Sequence, residues 1–349
     1  MQSFVDLDRL VGSVPSGVVT GLRTIDTGRG GEALDHGVVP TLLAGLAERA
    51  RAARIEASSA LDGVVVDDTA RAARIIAGRA ERLRGRDEQE LAGYRAVVDH
   101  LDEEQGRPLD VDLVLHLHRL LFQHTTTPGG RLRQVENVVV GQASDAARVK
   151  RFTPVPVAAT PAYLDELVAR YRRAQDAGRH HPVLLAGLFV LDLLAIHPFV
   201  DGNGRIARAL TNALLLDAGY GVTRYVALET TMADSPEAYA AALLDATHDW
   251  HVARHDPWPW LRYVVHALAG CSTQLATLTA NARRGRSKQD RVRDHVLHDA
   301  RATFRISEIR AASPDVSDQT IHLVLAQLKA EGLVAPDGVG RAATWSRLT

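Results

Sequence analysis

Apolar residues along most of the chain recur at helical spacing. Leu42, Leu43, Leu46, Ala50, Ala53 and Ile55 fall near a period of about 3.6, which predicts an amphipathic helix from Thr41 onward. Residues 69–82 and 87–104, rich in Ala, Arg and Leu, read as two further helices, and Leu113–Phe122 continues the series. More helices are expected over 161–178, 183–196, 205–218 (with Gly219 as a left-handed stop), 236–247, and from Trp258 through Leu278. The stretch Val183–Ile196 is apolar all round except at Asp192. It is shorter than the ~18–20 residues a bilayer span needs, so it reads as a buried core helix.

The helical rhythm breaks in a few places. Val135, Val138, Val139 and Val140 are β-branched and lie between Gly129-Gly130 and Gly141, which predicts a short strand or hairpin within 129–140. The two prolines of Arg151-Phe152-Thr153-Pro154-Val155-Pro156 impose an extended segment. Residues 1–36, with scattered glycines, are expected to form an irregular lead-in, and the polar stretch Asn281–Lys288 a linker. Beyond it, stripes at Val292/Val296/Leu297, at Ile306/Ile309/Ala312 and along Gln319–Leu328 predict three helices. A hairpin pairing 332–334 with 342–345 follows. The expected architecture is all-α with one small β element and a separate C-terminal domain, divided as 1–110, 111–282 and 283–349.

Composition narrows the class. Among 349 residues, 46% hydrophobic and 24% charged is ordinary for a globular chain and excludes wholesale disorder. The net charge of −1 conceals a basic tail, since residues 283–349 carry 12 Lys and Arg against 8 Asp and Glu. The single cysteine, Cys271, excludes an intrachain disulfide and fits a reducing compartment. The first residues have neither a basic region nor an apolar core, so no signal peptide is expected. A cytoplasmic protein without membrane contact is the expectation.

The chemistry concentrates in His197-Pro198-Phe199-Val200-Asp201-Gly202-Asn203-Gly204-Arg205-Ile206-Ala207-Arg208. Here an apolar helix stops, two glycines permit a tight turn around Asn203, and a new helix begins near Gly204. Unpaired amides at that N-terminus form an anion seat. Arg205 and Arg208, three apart on one face, suit a polyphosphate. Asp201 could hold Mg²⁺ against phosphate oxygens. His197, with an ordinary pKa near ~6.5, is the natural acceptor of a hydroxyl proton.

These residues closely resemble the signature of the Fic (filamentation induced by cAMP) family, His-x-Phe-x-Asp/Glu-Gly-Asn-Gly-Arg-x-x-Arg, and match it at every specified position. The resemblance runs through roughly 40–270. It implies a helical core with a short β-hairpin flap, and protein adenylylation: transfer of AMP from ATP to a Ser, Thr or Tyr hydroxyl of a target protein or of the chain itself. On that resemblance His197 is the base and Asp201 positions Mg²⁺. Asn203 holds the α-phosphate beside the amides of Gly202 and Gly204, and Arg205 and Arg208 take the outer phosphates. Gly204, where Doc-type kinases carry lysine, favours the AMP-transferring orientation. Phe152, Thr153 and Pro154 lie where relatives have a target-docking flap, and Tyr239 near where they place adenine, with Ala240 in place of a second tyrosine.

Ser58-Ser59-Ala60-Leu61-Asp62-Gly63 resembles the family's inhibitory helix, Ser/Thr-x-x-x-Glu-Gly/Asn, whose acidic residue pairs with the second motif arginine, here Arg208. Aspartate at 62 is one methylene shorter than glutamate. The pair is expected to lengthen by about an ångström unless the helix shifts, which would weaken the restraint. The C-terminal block resembles a winged helix-turn-helix. If it binds DNA, Gln319, Thr320 and His322 would face the groove, with Arg341, Arg347 and the Arg283–Lys288 stretch on phosphates. The alternatives are a DNA-binding regulator whose Fic core senses nucleotide with little catalysis, and transfer from another nucleoside triphosphate. A homodimer stays open. His251 and His255 read as surface or capping residues, and Cys271 as buried.

Overall fold

The computed structural model describes residues 2–142, 149–285, 287–314, 316–338 and 344–348. The helices are α1 (Leu7–Val11), α2 (Ser16–Val38), α3 (Pro40–Leu61), α4 (Thr69–Ile76), α5 (Arg86–Glu103), α6 (Val111–Leu121), α7 (Thr160–Ala177), α8 (Pro182–Ile196), α9 (Asn203–Asp217), α10 (Leu228–Asp234), α11 (Pro236–Ala246), α12 (Trp258–Gly285), α13 (Lys288–Asp294), α14 (Ile306–Ala312) and α15 (Asp318–Ala330). The strands are β1 (Val139–Gln142) and β2 (Val149–Phe152) in one hairpin, and β3 (Thr303–Arg305), β4 (Val334–Asp337) and β5 (Thr344–Arg347) in a second sheet of order β3-β5-β4. The chain forms two compact units, one of Met1–Arg29 with Ala47–Thr273 and the other of Gly30–Leu46 with Gln274–Thr349.

In the first unit, α8 is the central column, packed on α7 and α9. His181 caps it by accepting the Val183 amide, and Pro182 starts its first turn, where a missing N–H costs nothing. Almost every residue from Val183 to Ile196 is buried, as its uniform apolarity requires. Asp192, wholly buried, is tolerated there because Ser3 donates through its amide and its hydroxyl (2.5 Å) and Trp250 donates Nε1–H at 2.6 Å. Burial nevertheless pushes its pKa up. α5 lies across α6 and α9 and thereby brings its N-terminal half over the start of α9.

The structure departs from the sequence expectations in definite ways. The lead-in is helical. Gly21 and Gly28 of α2 meet Val265 and Ser272 of α12 so closely that a Cβ on either would lie within 3.0 Å of them. Those glycines, seven apart, admit a neighbouring helix rather than breaking their own. The hairpin is displaced from 129–140 to β1 and β2, paired from Val139↔Phe152 to Gln142↔Val149. The Asn281–Lys288 stretch is helical to Gly285, and α13 starts at Lys288 behind a Ser287 capping box.

The second unit packs Val292, Val296, Phe304, Ile309, Ile321, Val324, Leu325 and Leu328 into one core. Its strands pair Val334↔Arg347 through Asp337↔Thr344, two residues further along than expected, and β3 adds a third strand. Arg341 lies outside the described residues.

Candidate active site

The site is built where α8 stops. His197 caps α8 in the left-handed region (φ 51°, ψ 62°), its amide donating to the Leu193 carbonyl at 2.9 Å. A non-glycine residue there stores of order 1–3 kcal/mol of strain. Its Nδ1 lies 3.3 Å from the Leu194 carbonyl. That acceptor selects the Nδ1–H tautomer and leaves the Nε2 lone pair open. Burial lowers the imidazole pKa to about 4, with a further push from Arg133; the Leu194 carbonyl, Asp62 and Asp201 pull the other way. The ring is therefore a neutral base at physiological pH.

The loop behind it is held from both sides. The Asn203 side chain brackets Phe199, accepting its amide at 3.0 Å and donating to its carbonyl at 2.8 Å. Gly202 sits at φ 79°, and a Cβ there would strike Leu121 at 2.6 Å, so glycine is required twice over. Two residues that the sequence reading missed complete the clamp. Buried Arg133 donates from Nε to the His197 carbonyl (2.9 Å), from its amide to the Pro198 carbonyl (2.9 Å), and from Nη2 to the Val155 carbonyl. His118 stacks on Phe199 (3.8 Å, 5°). Its Nδ1 accepts the Gly130 amide at 2.8 Å, so Nε2–H donates to the Asp201 carbonyl at 3.1 Å. Burial lowers its pKa to about 4.

α9 begins at Asn203, and Ile206 is its first amide bonded to the loop, to Gly202 at 3.0 Å. The amides of Asn203, Gly204 and Arg205 thus have no acceptor within the helix, and the dipole adds positive potential at the same point. Asn203 is bonded differently from the expectation, since its amide side chain is engaged on the Phe199 backbone.

The arginines differ from each other. Arg208, 3% exposed, donates Nε to Ser58 Oγ (2.8 Å) and Nη2 to both the Ser58 carbonyl and Asp62 Oδ1 (2.8 Å each). The shorter aspartate therefore reaches at full hydrogen-bond distance, and the expected lengthening is absent. Leu61 is the last residue of α3, and the turn beyond it carries Asp62 in toward Arg208. Burial opposes the Arg208 charge, Asp62 favours it, and the net shift is upward. Arg205, 1% exposed, donates Nη1 to Glu90 (2.6 Å) and Nε to Asp62 (3.2 Å), with Nη2 3.5 Å from Asp201 and its guanidinium over Phe122. Glu90 is itself 1% exposed and also accepts from Arg86, whose Nη2 reaches Asp201 Oδ2 at 3.0 Å. Three arginines and three carboxylates form one neutral cluster.

A cavity of about 510 Å³ opens beside this cluster, lined by His197, Gly204, Arg208, Asp62, Tyr239 and Phe152 among others. It is within the size range of small-molecule sites. Tyr239 packs edge-on against Trp260 and Tyr263, and Ala240 lines the same wall. Phe152 stacks on His251, whose Nε2 bonds the Thr153 carbonyl at 2.8 Å; Thr153 is exposed and Pro154 buried. Asp201, Gly202, Asn203, Arg205 and Ser58 are not among the cavity's lining residues. Among the described residues, no group of three or more His, Cys, Asp or Glu is placed to hold a metal ion.

Residues 108–215 match the Fic/DOC family. Over 129 residues the chain is 33% identical to the protein adenylyltransferase and cysteine protease IbpA of Histophilus somni, covering 36% of this chain and 3% of that protein. It is 31% identical over 134 residues to the protein adenylyltransferase Fic of Drosophila melanogaster, covering 38% and 25%. The chain thus spans a quarter or less of the length of these curated relatives. A Fic family protein from Desulfovibrio desulfuricans G20 superposes with a TM-score of 0.62 at 17% identity over 96% of this chain and 97% of that one. A Fic domain containing signaling protein from Bacteroides thetaiotaomicron does so at 0.58 and 22%, over 78% and 99%. The fold is that of Fic proteins.

Proposed function

We propose that the Fic domain at residues 108–215 makes this chain a protein adenylyltransferase, which moves AMP from ATP to a Ser, Thr or Tyr hydroxyl of a target protein or of itself. The observation that carries the reading is His197: a neutral imidazole, fixed through Nδ1, lining the same cavity as Gly204 and Arg208. In the transfer, the target oxygen bonds the α-phosphorus and its proton passes to His197 Nε2. The bond from α-phosphorus to the bridging oxygen breaks, and pyrophosphate leaves with that electron pair. The amides of Asn203 and Gly204, which have no acceptor within α9, hold the α-phosphate, while the Gly202 amide donates to Asp201 Oδ1 at 2.6 Å, and Arg208 offsets charge on the outer phosphates. Tyr239 walls the base end.

Asp201 fits a magnesium ligand because its carboxylate is 42% exposed and such an ion needs only one or two carboxylates besides water and substrate oxygens. When bound there, such an ion would neutralise phosphate charge. Gly204 favours the AMP-transferring orientation, since no side chain projects there to bind a reversed triphosphate. Phe152, Thr153 and Pro154 form the surface for an extended target segment, which β2 could pair by strand addition. Ser58 and Asp62 restrain the site by occupying Arg208. Incubation with ATP labelled at the α- or the γ-phosphate tests the reading. Covalent label from the α position alone supports it, and label from the γ position alone contradicts it.

The three-part organisation 1–110, 111–282 and 283–349 belongs to the same reading, with the last part a winged helix. Its support is the order β3, α14, α15, β4, β5 and the sheet order β3-β5-β4. Protein contact suits that unit better than DNA. Arg310 is paired with Asp318 at the start of α15, and Arg347 commits Nη1 to the Leu297 carbonyl, which leaves fewer of their donors for phosphate. No helix among the described residues is long and apolar enough to cross a membrane, and we place the chain in the cytoplasm on the composition argument.

A further inference from the structure

We propose that Arg86, supplied by α5 from outside the twelve-residue motif, is a phosphate-binding arginine of the site, and that Arg205 is a positioning residue that does not leave its carboxylates. This rests on the adenylyltransferase reading and deepens it.

The two arginines share both Glu90 and Asp201 but differ in freedom. Arg205 is 1% exposed, and each of its three guanidinium nitrogens faces a different carboxylate: Glu90, Asp62 and Asp201. Those carboxylates come from α5, the end of α3 and the motif loop. Arg205 therefore ties three segments together. Turning it toward a phosphate would break all three links and disturb the pair on Glu90, which is itself 1% exposed.

Arg86 is 67% exposed, so its guanidinium keeps donor surface toward solvent. Its Nε is anchored on Glu90 and its Nη2 rests on Asp201 Oδ2 at 3.0 Å, whereas Oδ1 accepts the Gly202 amide and faces Arg205. Releasing Asp201 leaves Glu90 still paired with Arg205, so the swing strands no buried charge. When Asp201 is taken by a divalent cation, Arg86 faces a like charge on the same carboxylate. The acceptors then available to it are the oxygens of the outer phosphates. A planar guanidinium suits them through paired N–H donors. Arg86 also makes no contact with Asp62 among the described residues, whereas Arg205 and Arg208 both do. Its contribution is thus independent of the restraint. As the α-phosphorus bond to the bridging oxygen breaks, Arg86 offsets the charge that develops on the departing pyrophosphate.

Calorimetric binding of ATP and of AMP to the full-length Asp62→Gly protein tests this, with and without Mg²⁺. Against that parent, Arg86→Ala is expected to weaken ATP binding roughly tenfold, as loss of a charge-assisted contact implies, and to leave AMP binding within about twofold. Arg86→Lys should recover part of the ATP affinity, and it keeps a cation beside Glu90 should the alanine variant fail to fold. Arg205→Lys should lower the melting temperature and weaken ATP and AMP alike. Equal ATP affinity in parent, alanine and lysine variants, or an equal loss for ATP and AMP, overturns the assignment. A parent that binds no ATP at all overturns the adenylyltransferase reading first, so the two failures are distinguishable.

Discussion

The motif loop and the helical layer over it are held by different means. The loop from His197 to Asn203 is fixed by short-range contacts, such as Asn203 on Phe199 and the His197 amide on Leu193, backed by Arg133 and His118. The layer of α3 and α5 is held to it by ion pairs across more than 100 residues of sequence: Asp62 to Arg208 and Arg205, Glu90 to Arg205, Arg86 to Asp201. Local bonds of the first kind set where the His197 imidazole and the first amides of α9 stand. Long-range charges of the second kind decide whether the arginines are available. A change in the loop should therefore alter the chemistry itself, and a change in the layer should alter how readily the site is filled.

The largest expected effect tests the loop. His197→Ala should lower transfer by about 10²–10⁴-fold, the usual contribution of a positioned general base, while calorimetric ATP affinity stays within about twofold. Next comes the layer. Asp62→Gly removes charged hydrogen bonds worth about 1.5–3 kcal/mol, so ATP should bind roughly 10- to 100-fold more tightly and label incorporation should rise. Equal affinity and labelling in the two forms would remove the restraint.

Acid should act on the loop side of this comparison, through His197 and through His118 behind it. His118, His197 and His255 each have a folded pKa lowered to about 4 by burial, below an ordinary value near ~6.5. Between those values the unfolded chain binds more protons than the folded one. Their contribution is therefore fully present above about pH 6.5 and is lost progressively toward pH 4. Melting temperature should decline across that window and stay level from pH 7 to 8. Transfer should lose no base character until close to pH 4. The smallest expected effect is that of Ser58→Ala. It removes one of the three bonds on Arg208 and should tighten ATP by about fivefold, the equivalent of roughly 1 kcal/mol.

What the sequence made legible follows the same division. The run Val183–Ile196 could only be a buried helix, and the glycines around Asn203 could only mark a tight turn, so α8, the loop and α9 were readable in place. The pairing of Asp62 with Arg208 was also readable, through family resemblance, although its full-strength geometry was not. Arg133 and His118 could not be assigned to the site because their partners lie 64 and 83 residues away and a lone arginine or histidine carries no local pattern. Glu90 had one faint signal, Arg86 four residues before it in a helical pair. The helix α2 was missed because its glycines look like breakers until α12 is placed against them.

The most direct test is intact-mass analysis of the Asp62→Gly protein after incubation with ATP and Mg²⁺, alone and with His197→Ala added. Addition of one or more AMP groups to the single variant, absent from the double variant, is the expected result. No added AMP in the single variant, or equal addition in both, would contradict an imidazole-activated AMP transfer in this cavity.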